Sequence, residues 1–333
     1  MAKDVQAALG VSGAQRALQD LDLPMGRLRA GITVGELGRQ RLGDVAVDRL
    51  MAPALSASFG RPVDDLPLDA IAPGLAAEVE SHGGLIAAAR ARQATVTKGP
   101  AIQSIRGGMY RLTEALAADA ARHGAQLLTN RRVQRVVPGA SGWRVRCDDQ
   151  TLEADAVVLA VPRHVLPALL PADAVDAVDA VDASADAPVA AAWVSVVTLV
   201  VNSRALDTAP RGVGVLVRPG MTSVTTAVTH LTHSTAKWEW LDDLAGGRHV
   251  LRLSYAVTEP SLDMTGHALA DACALLGVGI PDSAVLGVAT TVWPDSSPVR
   301  VENLEPLPGI TLVGSAAGKS GLAAIAAQDA TLR

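Results

Sequence analysis

RGGMYRLTEALAADAARHG (106–124), followed by QLLTNRRVQRVV (126–137), WRVRC (143–147) and ADAVVLAV (154–161), decides the fold. In the first stretch Met109, Leu112, Leu116 and Ala120 recur every three or four residues, the spacing of one helix face. Gly107 and Gly108 stand at its start, and Gly124 lies just past its end as a stop. The segments after it are short and rich in valine, and they are divided by Pro138-Gly139 and Asp148-Asp149. They read as strands over Gln126–Val137, Trp143–Cys147 and Ala156–Val161, with Pro162 ending the last. A helix feeding such a run of strands predicts a mixed α+β or α/β fold.

Upstream the pattern is helical. Residues 1–23 offer Val5, Ala8, Leu9 and Leu18 as inner positions. From Val34, the residues Leu37, Leu42, Val45, Leu50 and Met51 recur about once per turn until Pro53 ends or kinks the helix. Leu68–Ala77 and Leu85–Arg92 read as further short helices, and 94–105 alternates like an extended hairpin. Downstream, ADAVDAVDAVDASADAP (172–188) repeats every three residues, which fits neither a strand nor an α-helix face, and it reads as a low-complexity insertion. Strands are expected over 191–201, 213–217, 224–229, 249–255 and 285–292, with a helix over 267–276. ITLVG (310–314) is a last strand that enters a helix near Gly321 through a glycine-rich loop. The expected parts are a helical region (1–98), a second part (99–170), the insertion (171–188), an antiparallel-sheet part (189–288) and a C-terminal part (289–333).

Composition bounds the function. Hydrophobic residues make up 49% and charged residues 19% of 333, so a sizeable core can form. Lys+Arg 29 against Asp+Glu 34 gives 29 − 34 = −5, and Trp 5, Tyr 2 and Phe 1 leave few rings for base stacking. Both points argue against a nucleic-acid partner. No apolar run reaches membrane-spanning length, and MAKDVQAALGVSG lacks the apolar centre of a signal peptide. A cytoplasmic location is therefore expected. Cys147 and Cys273 fit no metal spacing and read as reduced core thiols.

The common site motifs are incomplete or missing. TLVGSAAGKSGL (311–322) leaves three residues between Gly314 and Gly318, where a phosphate loop needs four. His230 and His233 in THLTHST have no third ligand in sight and read as ordinary surface histidines, and Asp242-Asp243 reads as a solvated turn. No G-x-S-x-G supports a hydrolase. No G-x-G-x-x-G follows a strand, so a dinucleotide fingerprint is missing.

Five segments nonetheless stand in the order of one known pattern. Residues 34–86 (VGELGRQRLGD…SHGGLI) resemble the helical region of flavin-dependent protoporphyrinogen/coproporphyrinogen oxidases, with Pro67 where that family has a serine. IRGGMYRLTEALA (105–117) resembles its GGM helix, and 127–162 its strand meander ending in VVLAVP. TVWPDSSP (291–298) resembles the W-P strand, although SSPV (296–299) departs from the pattern, and 307–330 resembles the closing flavin-contact motif.

The resemblance implies a flavin amine oxidase-type enzyme. Its parts would be a two-dinucleotide-binding-type FAD domain, incomplete here, and an antiparallel-sheet substrate domain with a helical subdomain. FAD would oxidise a porphyrinogen in haem biosynthesis by three two-electron steps, and molecular oxygen would reoxidise it to give peroxide. Val133 matches the valine whose backbone meets the adenine end, and Trp293 the tryptophan beside the flavin. Leu322, Ala323 and Ala324 match the start of the closing helix, whose N–H groups would face the flavin's N1/C2 side. The resemblance supplies no catalytic acid or base and no metal. The family's N-terminal strand–glycine–helix segment is not represented, and its loss is expected to weaken FAD binding by orders of magnitude. Two other readings stay open: a non-catalytic paralogue that binds a tetrapyrrole, and an amine-oxidising relative.

Overall fold

The computed structural model describes residues 3–59, 62–95, 102–162, 165–171, 193–218, 224–225, 227–294, 308–317, 321–322 and 325–326. The chain divides into two compact units, residues 1–107 with 190–295, and residues 108–189 with 296–333. The insertion at 172–188 and most of the expected hairpin at 94–105 lie outside the described residues.

The first unit begins with helices: α1 (Lys3–Leu18), α2 (Val34–Leu42), α3 (Asp44–Ala46), α4 (Ala52–Phe59), α5 (Leu68–Ile71), α6 (Leu75–His82) and α7 (Leu85–Thr95). The α2 start is capped by the Thr33 hydroxyl, which accepts from the Glu36 N–H at 3.1 Å. Leu9 and Leu37 are buried as expected, but Leu18 and Val45 face solvent. Pro53 does not end the helical run. A π-helical stretch, Val47–Met51, precedes it. Proline has no N–H to return to the preceding turn, and a π-bulge absorbs the mismatch.

Two features close this helical layer. A Cβ on Gly35 would sit 2.9 Å from the Asp64 backbone nitrogen, so only glycine lets α2 approach that loop. Asp20 is fully buried and ion-paired with Arg41, and it also accepts from the Ile86 N–H at 2.6 Å. Ile32, Leu37, Val47, Leu66 and Val79 form the layer's core.

The same unit carries a five-stranded antiparallel sheet in the order β6-β7-β8-β5-β9. Its strands are β5 (Trp193–Val201), β6 (Gly214–Leu216), β7 (Val228–His233), β8 (His249–Val257) and β9 (Val285–Pro294). β5 and β8 pair residue for residue from Trp193↔Val257 to Val201↔His249. The odd-numbered residues of both strands point to one face, where Val197, Leu199, Leu251, Leu253 and Tyr255 are buried with Ala268, Ala272 and Leu275 of the last helix. Three helices accompany the sheet: α10 (Ser234–Lys237), α11 (Glu239–Ala245) and α12 (Thr265–Leu276).

Two expectations are corrected in this sheet. β7 starts at Val228, not Val224, because the Thr225 N–H and hydroxyl both donate to Asp271 at 2.8 Å instead of joining a ladder. Asp242-Asp243 is not a turn but part of α11, and Asp243 pairs with Arg106 at 3.0 Å.

The second unit is sparser. β1 (Val133–Pro138), β2 (Trp143–Cys147) and β3 (Thr151–Ala154) form an antiparallel meander. β4 (Val157–Leu159) pairs in parallel with β10 (Ile310–Leu312). α8 (Tyr110–Arg122) precedes the meander, and the short α9 (Leu166–Leu169) follows β4. Val136, Leu159, Leu166, Leu170 and Ile310 form its small core.

The predicted strand at 126–137 survives only from Val133. Asn130 adopts φ 55°, which breaks an extended run. No described strand pairs with 126–132, and Leu127 and Leu128 are exposed. The predicted inner face of α8 is also open: Leu116 is 60% exposed and no residue of α8 is buried.

Candidate functional site

The sequence-derived positions fall into both units. Val133 opens β1, half-buried against the small core of the second unit, beside a bulge in the β1–β2 register. Trp293 lies in β9 of the first unit, 48% exposed and opposite Val194. Leu322 is exposed and follows Gly321, whose φ is 82°. Ala323 and Ala324 lie outside the described residues.

The five-stranded sheet has one covered face and one face that combines apolar and polar side chains. Away from α12, the paired positions form rows. The first row is Trp293, Val194 and Ala256. The second is Thr291, Val196, Ser254 and His230, and the third is Thr198, Arg252 and Thr232. A bulge at Thr229 places His230 opposite Ser254 while Leu231 stays opposite Leu253 in the core. Sequence reading treated His230 as a surface residue. Only the register shows that it shares a face with Trp293.

His230 is held through both ring nitrogens, with Ser254 Oγ at 3.1 Å from Nε2 and Thr229 Oγ1 at 3.3 Å from Nδ1. The Thr229 hydroxyl donates to the Ser254 carbonyl at 3.1 Å, so it can only accept from His230. This assigns the ring proton to Nδ1 and leaves Nε2 to accept from Ser254. Burial holds the His230 pKa below its ordinary value, with Arg252 and Lys237 adding to the effect.

His233 corrects the surface expectation. It is 1% exposed, and its Nε2 lies 3.1 Å from His249 Nδ1. His249 Nε2 in turn lies 3.1 Å from Asp207 Oδ1. Burial pushes the His233 pKa down to about 4, and His249 adds to the effect. Behind the sheet, Asp271 accepts from the Tyr255 hydroxyl at 3.0 Å and from Thr225. Burial, with Asp271 next to it, raises the Tyr255 pKa. These two groups brace the sheet from its covered side. No cluster able to hold a metal occurs among the described residues, and Cys147 and Cys273 are free thiols.

Comparison with known families settles the class of protein. Residues 3–260 match the family model described as flavin containing amine oxidoreductase. The chain belongs to that family. It is therefore of oxidoreductase type, and FAD is the family's cofactor. The coproporphyrinogen III oxidase of Propionibacterium freudenreichii subsp. freudenreichii is 30% identical over 178 residues, or 44% of this chain and 33% of that protein. The protoporphyrinogen oxidase of Bos taurus is 31% identical over 170 residues, 47% of this chain and 35% of that protein. These matches thus span about a third of each relative's length. A crystal structure from Exiguobacterium sp. 255-15, provisionally named protoporphyrinogen oxidase, superposes with a TM-score of 0.71 at 22% identity. The superposition covers 98% of this chain and 72% of that one, and at such identity it establishes the fold.

Among the described residues, nothing lies within 4 Å of where a Cβ on Gly321 would sit, which leaves room there for a flat ring such as that of FAD. No described strand enters a helix through a G-x-G-x-x-G turn, so no described residue supplies a diphosphate cradle. No described helix is long and apolar enough to cross a membrane.

Proposed function

We propose that this chain takes part in the FAD-dependent oxidation of a porphyrinogen, either coproporphyrinogen III or protoporphyrinogen IX, in haem biosynthesis. The observation that carries the reading is the pair of matches at 30% and 31% identity, both to porphyrinogen oxidases. The sheet face agrees with it, since Trp293, Val194 and Ala256 offer an apolar floor to the macrocycle, which becomes flat as the porphyrin product forms. In balance, the macrocycle loses six electrons and six protons, and three O2 become three H2O2. FAD, when bound, supplies the two-electron chemistry. Val133, Trp293 and the 322–324 segment are its proposed contacts, with Trp293 beside the flavin. The sheet residues orient the substrate and exclude water from its apolar side.

The test is to incubate the purified chain with FAD and coproporphyrinogen III or protoporphyrinogen IX under air and to follow porphyrin fluorescence. Turnover that depends on both FAD and oxygen is expected. A chain that binds FAD and leaves both porphyrinogens at the uncatalysed rate would overturn the reading. A second reading, tetrapyrrole binding without catalysis, rests on the same pair of matches. Saturable porphyrin binding by a chain with no flavin affinity would select it.

A further inference from the structure

We propose that Arg252, His230 and Ser254 form a carboxylate subsite at the polar end of the sheet face that points away from α12, with Arg252 exposed and Ser254 buried behind it, binding an acidic side chain of a flat aromatic ligand. The inference rests on the porphyrinogen reading for the ligand's identity, the flat ligand being the porphyrin product, but its geometry stands apart from it.

The face is divided along the strands. At one end stand Trp293, Val194 and Ala256; at the other stand Thr198, Arg252 and Thr232. Ala256 and Arg252 are four residues apart on β8, about 13 Å at strand rise. That distance separates an aromatic body from a carboxylate at its edge.

The chemistry of the polar end selects an anion. Arg252 is exposed, and no carboxylate pairs with it among the described residues. Two positions on from Arg252 along β8, on the same face, Ser254 is bonded to His230. Lys237 adds a third basic group near enough to act on His230, and its ammonium also sits 5.2 Å from the Trp238 ring. Other arginines of this unit are held by carboxylates, as Arg39 is by Asp44, Asp48 and Asp64 and Arg92 by Glu78. A guanidinium with a free fork meets a carboxylate through two N–H donors. Ser254 Oγ can turn from His230 to donate to the second oxygen. His230, relieved of its neighbours' positive potential by the incoming charge, then gains proton affinity at Nε2.

The test uses the full chain and two probes, coproporphyrin III and succinate, with the coproporphyrin tetramethyl ester as the uncharged control. The variants are Arg252→Gln and, as a control for charge alone, Arg146→Gln, an exposed arginine of β2. Both positions are exposed, and matching thermal melts check that both variants fold. Arg252→Gln should weaken coproporphyrin binding at least tenfold and leave the ester unchanged, while Arg146→Gln should match wild type. Succinate should shift the His230 imidazole resonances in wild type and not in Arg252→Gln. Equal affinity of wild type and Arg252→Gln for coproporphyrin would overturn the subsite, as would equal losses for acid and ester. If wild type binds no porphyrin but succinate still moves His230, the subsite stands and the porphyrinogen reading falls. If neither ligand moves His230, the subsite falls regardless of porphyrin binding.

Discussion

The sheets of the two units face opposite situations. In the first, β5 has a partner on each side over its full length, and one face is sealed by α12. In the second, β4 and β10 make a parallel pair of three residues each, and Val158 between them is 58% exposed. Parallel strands are normally covered on both faces, and two strands alone are marginal. α8 repeats the contrast, since it has an apolar stripe and buries none of it. The lesson is that an apolar pattern states what could be buried, not that a partner exists to bury it.

Hydrogen exchange should show the largest difference. Amides at the centre of β5 and β8 should open only with the whole first unit, while those of α8 open locally. A rate difference of at least about a thousandfold, about 4 kcal/mol, is expected. Comparable protection in the two would break the contrast.

Side-chain truncation sharpens it. Leu253 is fully buried in the middle of the five-stranded sheet, so Leu253→Ala should cost about 4 kcal/mol in urea unfolding. Leu116→Ala on α8 should stay within about 0.5 kcal/mol. A large loss at Leu116 would mean that α8 has cover that its exposure does not show.

Acid should act through the first unit. The folded state keeps His233 neutral, with its pKa at about 4, whereas the unfolded chain takes up a proton near 6.5. Below 6.5 the unfolded state therefore binds more protons. Stability is complete above that pH and falls as the pH drops towards 4, by about 3 kcal/mol in total. Melting curves from pH 7.5 to 4.5 check this, and an unchanged midpoint would place the charge inside the fold.

The smallest effect belongs to a half-exposed ion pair. Glu78 lies 2.5 Å from the Arg92 Nε, and Arg92 also donates to the Pro73 carbonyl at 2.8 Å. The arginine holds the Glu78 carboxyl below its ordinary pKa. Glu78→Gln should leave the midpoint in the same urea assay nearly unchanged.

Much of the local structure was legible. WRVRC at 143–147 became β2 with the expected bounds, and the helix expected at 267–276 is α12 with two residues added at its start. Turn residues and period carry that information within a few positions. The site was less legible. Trp293 could be singled out by its resemblance to the family's tryptophan, yet nothing local announces that it shares a face with His230 and Arg252. Those residues are more than forty positions away in sequence and become neighbours only through the β9-β5-β8-β7 pairing and one bulge.

By itself, the sequence determined where helices and strands could form, the absence of a strand-borne dinucleotide fingerprint, and the order of motifs shared with flavin-dependent oxidases. Each of these depends on neighbours in the chain. The tertiary structure alone decided that His233 is buried, that 126–132 pairs with no described strand, and that Arg252 and His230 share the sheet face that points away from α12. Those outcomes depend on which distant strand supplies the partner. Hydrogen-bond pairing and burial are properties of two segments at once, and no single stretch of sequence carries both.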